Sequence, residues 1–133
     1  MSDSQKEYVV ISVHHTQRND RYITLWSEND SGYRYRVNKA GRYSHDHVLR
    51  SLGYYNSGQN IAVPAEIVEP LCRPGDPRDF DGVSWDEPLS ELLALPNTKG
   101  VWQTLLANVI APTEYKPWPD YPGARRRKEK DNG

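Results

Sequence analysis

The chain of 133 residues is short of the residues that build large cores or covalent cross-links. It has one cysteine, Cys72, one phenylalanine and one methionine, and its hydrophobic fraction is 36%. A single cysteine excludes an internal disulfide and is typical of a reducing compartment. Nine tyrosines and four tryptophans carry much of the apolar surface, which predicts one domain with a thin core and an aromatic surface.

Long apolar runs are also missing. The first residues are polar and contain no apolar signal region, and no run approaches the roughly 18 residues of a membrane span. We therefore expect no membrane contact and a cytoplasmic location.

Motifs with recognised chemistry are missing as well. The four histidines form two pairs, His14 with His15 and His45 with His47, whose side chains diverge on a strand or at a helix start. The chain has no zinc-ligand spacing, no nucleophile elbow and no phosphate-cradling loop. We expect no metal and no cofactor, and a non-catalytic protein is favoured over an enzyme.

What the chain does have is an interleaved set of arginines and tyrosines between residues 21 and 56. On a strand, Tyr33, Tyr35 and Val37 would lie on one face and Arg34 and Arg36 on the other. Planar cations beside aromatic rings bind phosphates, stack on bases or anchor protein partners. The candidate binding residues are Arg21, Tyr22, Arg34, Tyr35, Arg36, Arg42, Tyr43, Tyr54, Tyr55 and Asn56. The alternative is that the tyrosines pack on the core while the arginines are solvated.

The net charge of −1 conceals two segments of opposite sign. Residues 21–50 carry six lysines and arginines against three acidic residues, whereas residues 61–97 carry two arginines against eight acidic residues. Such segregation is either a binding device or self-complementary, within the fold or between the subunits of a homo-oligomer.

The apolar and turn patterns predict an α+β fold with an antiparallel sheet of three to four strands. Residues 7–14, 21–26 and 33–37 are predicted to form a meander, and residues 61–63 a short strand or lead-in. Ser44 is predicted to cap a helix that Gly53 ends.

One main C-terminal helix is predicted from Lys99 to about Ile110. Its apolar stripe consists of Val101, Trp102, Leu105, Leu106 and Val109. We expect this stripe to pack on one sheet face, against the β-branched run of the first strand.

Prolines divide the rest of the chain. Residues 73–88 are predicted to form a mobile acidic loop without regular elements, and residues 112–122 to run extended along the body with Trp118 at least partly buried. A single domain is expected over residues 1–124, followed by a charged, disordered tail at 125–133.

Several short motifs resemble a group of small bacteriophage and prophage proteins of unknown function. They are YITLW at 22–26, GY at 32–33, AGRYS at 40–44, GYYNSG at 53–58, NIAVP at 60–64, NT at 97–98 with Trp102, and LLANVIAP at 105–112. The resemblance implies an accessory protein of a phage acting in the bacterial cytoplasm, and it implies no chemistry and no site.

Three functions remain open from the sequence. The first is a non-catalytic binding protein, such as a phage accessory or anti-defence factor, that holds a host protein or a phosphate-bearing ligand through the Arg/Tyr surface. The second is single-stranded nucleic-acid binding, with tyrosines stacking on bases, although a pI near 6.4 disfavours a dedicated duplex binder. The third is a small nucleotide-processing enzyme, which requires a cleft with a histidine beside two arginines.

Overall fold

The computed structural model describes residues 6–125, and it confirms the α+β class. The main sheet is antiparallel and has five strands, one more than the upper number predicted. Its strands are β1 (Glu7–Ser12), β2 (Leu25–Trp26), β3 (Tyr33–Arg34), β4 (Tyr43–Ser44) and β5 (Asn60–Pro64). The order β3–β2–β1 is the predicted meander, and β4 and β5 both pair with β1.

Strand β1 is the centre of the sheet because it pairs along both of its edges. Val9 and Ile11 face Val63 and Ile61 of β5, and this register puts all four side chains on one face. Tyr8 and Val10, at the alternating positions, belong to a separate cluster on the opposite face. The β-branched run of the sequence therefore serves two core layers, one on each side of the sheet.

The first layer contains α4 (Lys99–Leu106), which begins after the N-cap Thr98. Its Trp102 and Leu105 are buried beside Val9 and Ile11, as predicted. The helix ends at Leu106 rather than near Ile110. The reason is that the Ile110 amide donates to the Ala62 carbonyl on β5, which draws the chain out of the helix and onto the sheet.

The second layer, which the sequence did not predict, covers the opposite face with two short helices. They are α1 (His45–Leu49) and α2 (Leu52–Tyr55). The Ser44 hydroxyl caps α1 by accepting from the His47 amide at 3.1 Å, as predicted. The prediction that Gly53 ends this helix is wrong, because the break falls at Ser51 and Gly53 lies within α2. The apolar residues of this layer are Tyr8, Val10, Trp26, Tyr43, Val48, Tyr55 and Ala62.

The helix α3 (Ala65–Val68) follows β5 and passes into a 3₁₀ turn at Glu69–Leu71. The chain then enters a second, two-stranded sheet of β6 (Arg73–Pro74) and β7 (Leu93–Ala94). Further 3₁₀ turns lie at Pro77–Asp79 and Leu89–Glu91.

The expectation of an irregular segment at 73–88 is therefore wrong for β6 and for the first of these turns. The turn at Pro77–Asp79 suits its sequence, because a proline at the first helical position has no amide donor to lose. Phe80 directly after it is buried, so this part of the segment is attached to the body.

The C-terminal segment lies along the body, as predicted, and Trp118 is 47% exposed. The Tyr115 amide donates to the Ser57 carbonyl at 2.7 Å, which fixes the segment beside the loop that follows α2. Apart from Arg125, the residues of the predicted disordered tail lie outside the described range. No helix between residues 6 and 125 is long and apolar enough to cross a membrane.

Candidate functional site

An open groove of about 680 Å³ lies at the edge of the main sheet where β3 ends. We call it the basic groove. Its lining residues are Tyr33, Arg34, Tyr35, Arg36, Lys39, Asp79, Phe80 and Asp81. The groove thus combines three cations, three aromatic rings and two carboxylates.

The course of the chain after β3 creates the basic wall of the groove. The strand ends at Arg34, and a 3₁₀ turn at Val37–Lys39 follows. Val37 is buried in the cluster that contains α4, whereas Tyr33 contacts Trp26 on the opposite face. The expectation that Tyr33, Tyr35 and Val37 share one face is therefore wrong for Val37, because the strand alternation stops before it.

Arg34 and Arg36 keep their charge available in the groove. Arg34 Nη1 donates to the carbonyl oxygen of Tyr33 at 2.8 Å, and Arg36 Nη1 donates to that of Glu91 at 3.0 Å. Neither arginine, nor Lys39, forms an ion pair with any carboxylate in the described part of the chain. Carbonyl partners orient the guanidinium groups but do not neutralise them, so the wall stays electropositive.

The facing wall is held in place by Tyr22. Its hydroxyl donates to Asp79 Oδ2 at 2.6 Å, and Arg21 Nη1 lies 3.4 Å from the same oxygen. Burial and the bond to Asp79 raise the pKa of Tyr22 above its usual value. A Cβ at Gly75 would lie 2.7 Å from both the Phe80 ring and the Tyr22 hydroxyl, so only glycine allows this close approach.

A smaller hollow of about 290 Å³ adjoins the basic groove. Its lining consists of His15, Thr24, Tyr33, Arg34 and Tyr35. The His15 and Tyr33 rings lie 4.4 Å apart, and His15 Nδ1 is hydrogen-bonded to the buried Ser12 Oγ at 2.9 Å. Burial raises the pKa of Tyr35.

The hollow does not match the cleft expected of a nucleotide-processing enzyme, because Arg34 is the one arginine that lines it beside His15. The basic groove contains two arginines, and no histidine lines it. Within residues 6–125 no three metal-ligating side chains are grouped so that they could hold an ion.

The structure brings together part of the predicted set and separates the rest. Arg34, Tyr35 and Arg36 line the basic groove, while Arg21 and Tyr22 support its acidic wall. Arg42 does not line the groove and forms an ion pair with Glu69. Tyr54 is exposed beside Trp26 on the face covered by α1 and α2.

Tyr43 and Tyr55 belong to the buried second layer rather than to the groove. The Tyr43 hydroxyl donates to the Ser27 carbonyl at 2.6 Å, and the Tyr55 hydroxyl donates to the Asp30 carboxylate at 3.2 Å. The Tyr55 oxygen also lies 2.8 Å from His47 Nε2. Because the phenol donates its one proton to Asp30, it accepts the hydrogen bond from His47. Burial, together with the Asp30 charge, raises the pKa of each tyrosine to about 12. Both phenols thus remain neutral hydrogen-bonding groups of the core.

Asn56 is also a structural residue. Its Nδ2 donates to the Ala111 carbonyl at 2.8 Å, and its Oδ1 accepts from the Ala62 amide at 3.0 Å. The buried side chain therefore joins β5 to the segment after α4, and it has no access to a surface ligand.

Five residues of the basic groove were not among the predicted site residues. They are Tyr33, Lys39, Asp79, Phe80 and Asp81. Phe80 was the sequence signal that could have located them. It is the only phenylalanine of the chain and lies in an otherwise acidic loop, and a large apolar residue there indicates a point where the loop packs on the body.

Comparison of the chain with models of known protein families gives no match, and comparison with curated proteins and with solved structures gives no significant match.

Proposed function

We propose that the protein is a non-catalytic binding protein that holds a phosphate-bearing ligand in the basic groove. The observation that supports this function is the convergence of Arg34, Arg36 and Lys39 on one groove, where none of the three forms an ion pair with a carboxylate of residues 6–125. A buried or paired set of arginines would be part of the fold, whereas these remain free for an external anion.

The composition of the groove favours a small ligand over a polyanion. Two guanidinium groups match the geometry of phosphate oxygens, and Tyr33, which is half-exposed, offers a ring against which a flat group can stack. The facing carboxylates, Asp79 and Asp81, accept hydrogen bonds from hydroxyl groups and repel further phosphates. A phosphorylated compound with hydroxyl groups therefore fits better than a continuous nucleic-acid strand.

The resemblance to small bacteriophage proteins supplies the setting of the proposal. An accessory or anti-defence factor of a phage would act in the cytoplasm of the infected bacterium, where phosphorylated metabolites and host proteins are its available partners. A host protein that presents a phosphate or an acidic group would be recognised by the same cations.

Isothermal titration calorimetry at low salt tests the proposal with inorganic pyrophosphate and adenosine diphosphate as probes. We expect both to bind, and Arg34→Ala to weaken binding by about tenfold to a hundredfold, since a charge-assisted hydrogen bond contributes about 1.5–3 kcal/mol. Added salt should also weaken binding. Arg50→Ala is the matched control, because Arg50 is exposed and lies outside the groove.

The double variant Arg34→Ala with Arg36→Ala tests whether the ligand binds in the basic groove. Unchanged affinity for both probes in this variant would place the site elsewhere, and no binding by the parent protein would remove the proposal. A single-stranded oligonucleotide that binds more tightly than adenosine diphosphate, with a steep salt dependence, would favour nucleic-acid binding instead.

A further inference from the structure

The segment at residues 81–91, which we call the acidic arm, is attached to the basic groove at both ends. Asp81 lines the groove, and the Glu91 carbonyl accepts from Arg36. The Glu91 carboxylate also accepts from Asn38 Nδ2 at 2.8 Å. Between these attachments Val83 packs partly against the cluster around Phe80, while the side chains of Trp85 and Leu89 are exposed to solvent.

The middle of the acidic arm carries the two most exposed large apolar side chains of the described residues. Trp85 is 86% exposed and Leu89 is 66% exposed. Tryptophan has a large area to bury, and it is enriched among the residues that dominate protein interfaces. Trp85 is not seated in the groove of its own chain, although that groove adjoins its arm.

The charges of the arm and of the basic groove are opposite, and within residues 6–125 they form no ion pair with each other. The arm carries Asp81, Asp86, Glu87 and Glu91, and within residues 6–125 none of these forms an ion pair. Arg34, Arg36 and Lys39 of the groove likewise form no ion pair with a carboxylate of the described residues. One continuous surface therefore presents a negative apolar arm next to a positive aromatic groove.

We propose that this surface binds a second copy of the chain, with the acidic arm of each copy docked in the basic groove of the other. In a two-fold dimer the same two patches of each chain meet, so the arm of one copy contacts the groove of the other and the reverse. The opposite charges of arm and groove allow both contacts. Trp85 of one copy would lie against Arg34 and Arg36 of its partner, where a guanidinium can stack on the indole ring.

A partner with one sign of charge would complement either the arm or the groove, but not both. A uniformly acidic partner would be attracted by the groove but repelled by the arm, and a uniformly basic partner would meet the reverse situation. A second copy supplies both signs in the matching order.

The proposal rests on the groove of the proposed function, and it makes self-association compete with the phosphate-bearing ligand. Because the contacts would join exposed charges, the dimer should depend on protein concentration and be sensitive to salt.

Sedimentation velocity over a range of protein concentrations, at low and at high salt, measures this association. The parent protein should form dimers at low salt that dissociate at high salt, and Trp85→Ala should weaken the dimer about tenfold or more. Leu49→Ala is the control, because it removes an exposed apolar side chain outside the arm and the groove and should leave the dimer unchanged.

A charge-swap experiment tests the reciprocal contact. Arg34→Glu, and separately Asp86→Lys with Glu87→Lys, should each lose the homodimer because like charges then meet in both contacts. A mixture of the two variants should form a heterodimer, since both of its contacts bring opposite charges together. A mixture that stays monomeric, when the parent dimerises, would overturn the proposed pairing.

A parent protein that is monomeric at every concentration would also overturn it, as would a dimer that Trp85→Ala leaves intact. These results are distinguishable from failure of the proposed function. Monomers that bind pyrophosphate retain the function without the dimer, whereas dimers that do not bind pyrophosphate retain the dimer without the function.

Discussion

The indole Nε1 of Trp102 donates to Oδ1 of Asn97 at 2.7 Å, and both residues are buried. Asn97 Nδ2 donates in turn to the carbonyl oxygens of Gln17 and Asp20. One amide side chain therefore joins α4 to the connection between β1 and β2.

Replacing this amide should destabilise the whole domain. We expect Asn97→Ala to lower the free energy of unfolding by about 1–3 kcal/mol or more, because it removes the hydrogen-bond acceptor of the buried Trp102 indole N–H and a donor to the Asp20 carbonyl. Urea unfolding followed by tryptophan fluorescence measures the change. Asn108→Ala should have a smaller effect, since Asn108 is half-buried and its side chain bonds the Thr104 carbonyl four residues earlier rather than a distant part of the chain. Equal effects would show that Asn97 does not hold α4 to the body.

Leu105→Ala should destabilise the protein by about 2–5 kcal/mol, because the side chain is fully buried between α4 and the sheet and its loss leaves a cavity. Leu106→Ala should lower the free energy of unfolding by clearly less, since Leu106 is only partly buried at the edge of the same cluster. Chemical denaturation of the two variants side by side measures the difference. A larger loss for Leu106→Ala would mean that α4 is rotated relative to the sheet.

Gly58→Ala should destabilise the protein by at least about 1–3 kcal/mol. Gly58 has φ +117°, and a Cβ at this position would lie 2.0 Å from the Tyr115 carbonyl oxygen. Gly53→Ala is the matched control, because Gly53 lies in α2 with no atom within 4 Å of a new Cβ. That variant should be neutral or slightly more stable, since alanine favours helix. Thermal unfolding compares the two, and a normal melting temperature for Gly58→Ala would argue against the close contact with the C-terminal segment.

Alkaline pH should unfold the domain through Tyr43 and Tyr55. Burial raises the pKa of each phenol from the usual 10.0 to about 12 in the folded state. Below pH 10 both the folded and the unfolded state keep these protons, so the full stability is present. As pH rises from about 10 towards about 12, the unfolded state ionises first and stability is lost.

Circular dichroism and phenolate absorbance recorded over the same pH range check this expectation. The last phenols should ionise together with the loss of secondary structure. Tyr33→Phe should leave the unfolding pH unchanged, because Tyr33 is exposed on the groove. Ionisation of every tyrosine without any loss of structure would contradict the buried placement of Tyr43 and Tyr55.

The local patterns of the sequence were sufficient for the elements that are built from neighbouring residues. The β-branched run predicted β1, the apolar stripe predicted α4, and Ser44 predicted the start of α1. Each of these depends on periodicity or capping within a few residues. The end of α4 was missed because it is set by a bond from Ile110 to a strand distant in sequence.

The candidate site was predicted only in part, for the same physical reason. Arg34, Tyr35 and Arg36 are neighbours in the chain, so their proximity is local. Asp79 and Asp81 reach them because β6 pairs with β7 and because Arg36 and Asn38 bond to Glu91. Tyr43, Tyr55 and Asn56 have the residue types of a binding surface, but a second core layer beneath α1 and α2 buries them, and no local pattern distinguishes the two placements.

The central position of β1 has a kinetic consequence. Its longest pairing is with β5, and in that ladder Ser12 lies opposite Asn60, far along the chain. Closing so long a loop costs entropy before any pairing energy is gained, so the sheet should assemble slowly. During synthesis β1 emerges well before β5, and until β5 arrives the Val9–Val10–Ile11 run is an unpaired apolar edge that can join another chain. The strand that organises the folded protein is therefore the segment most prone to aggregation before folding is complete.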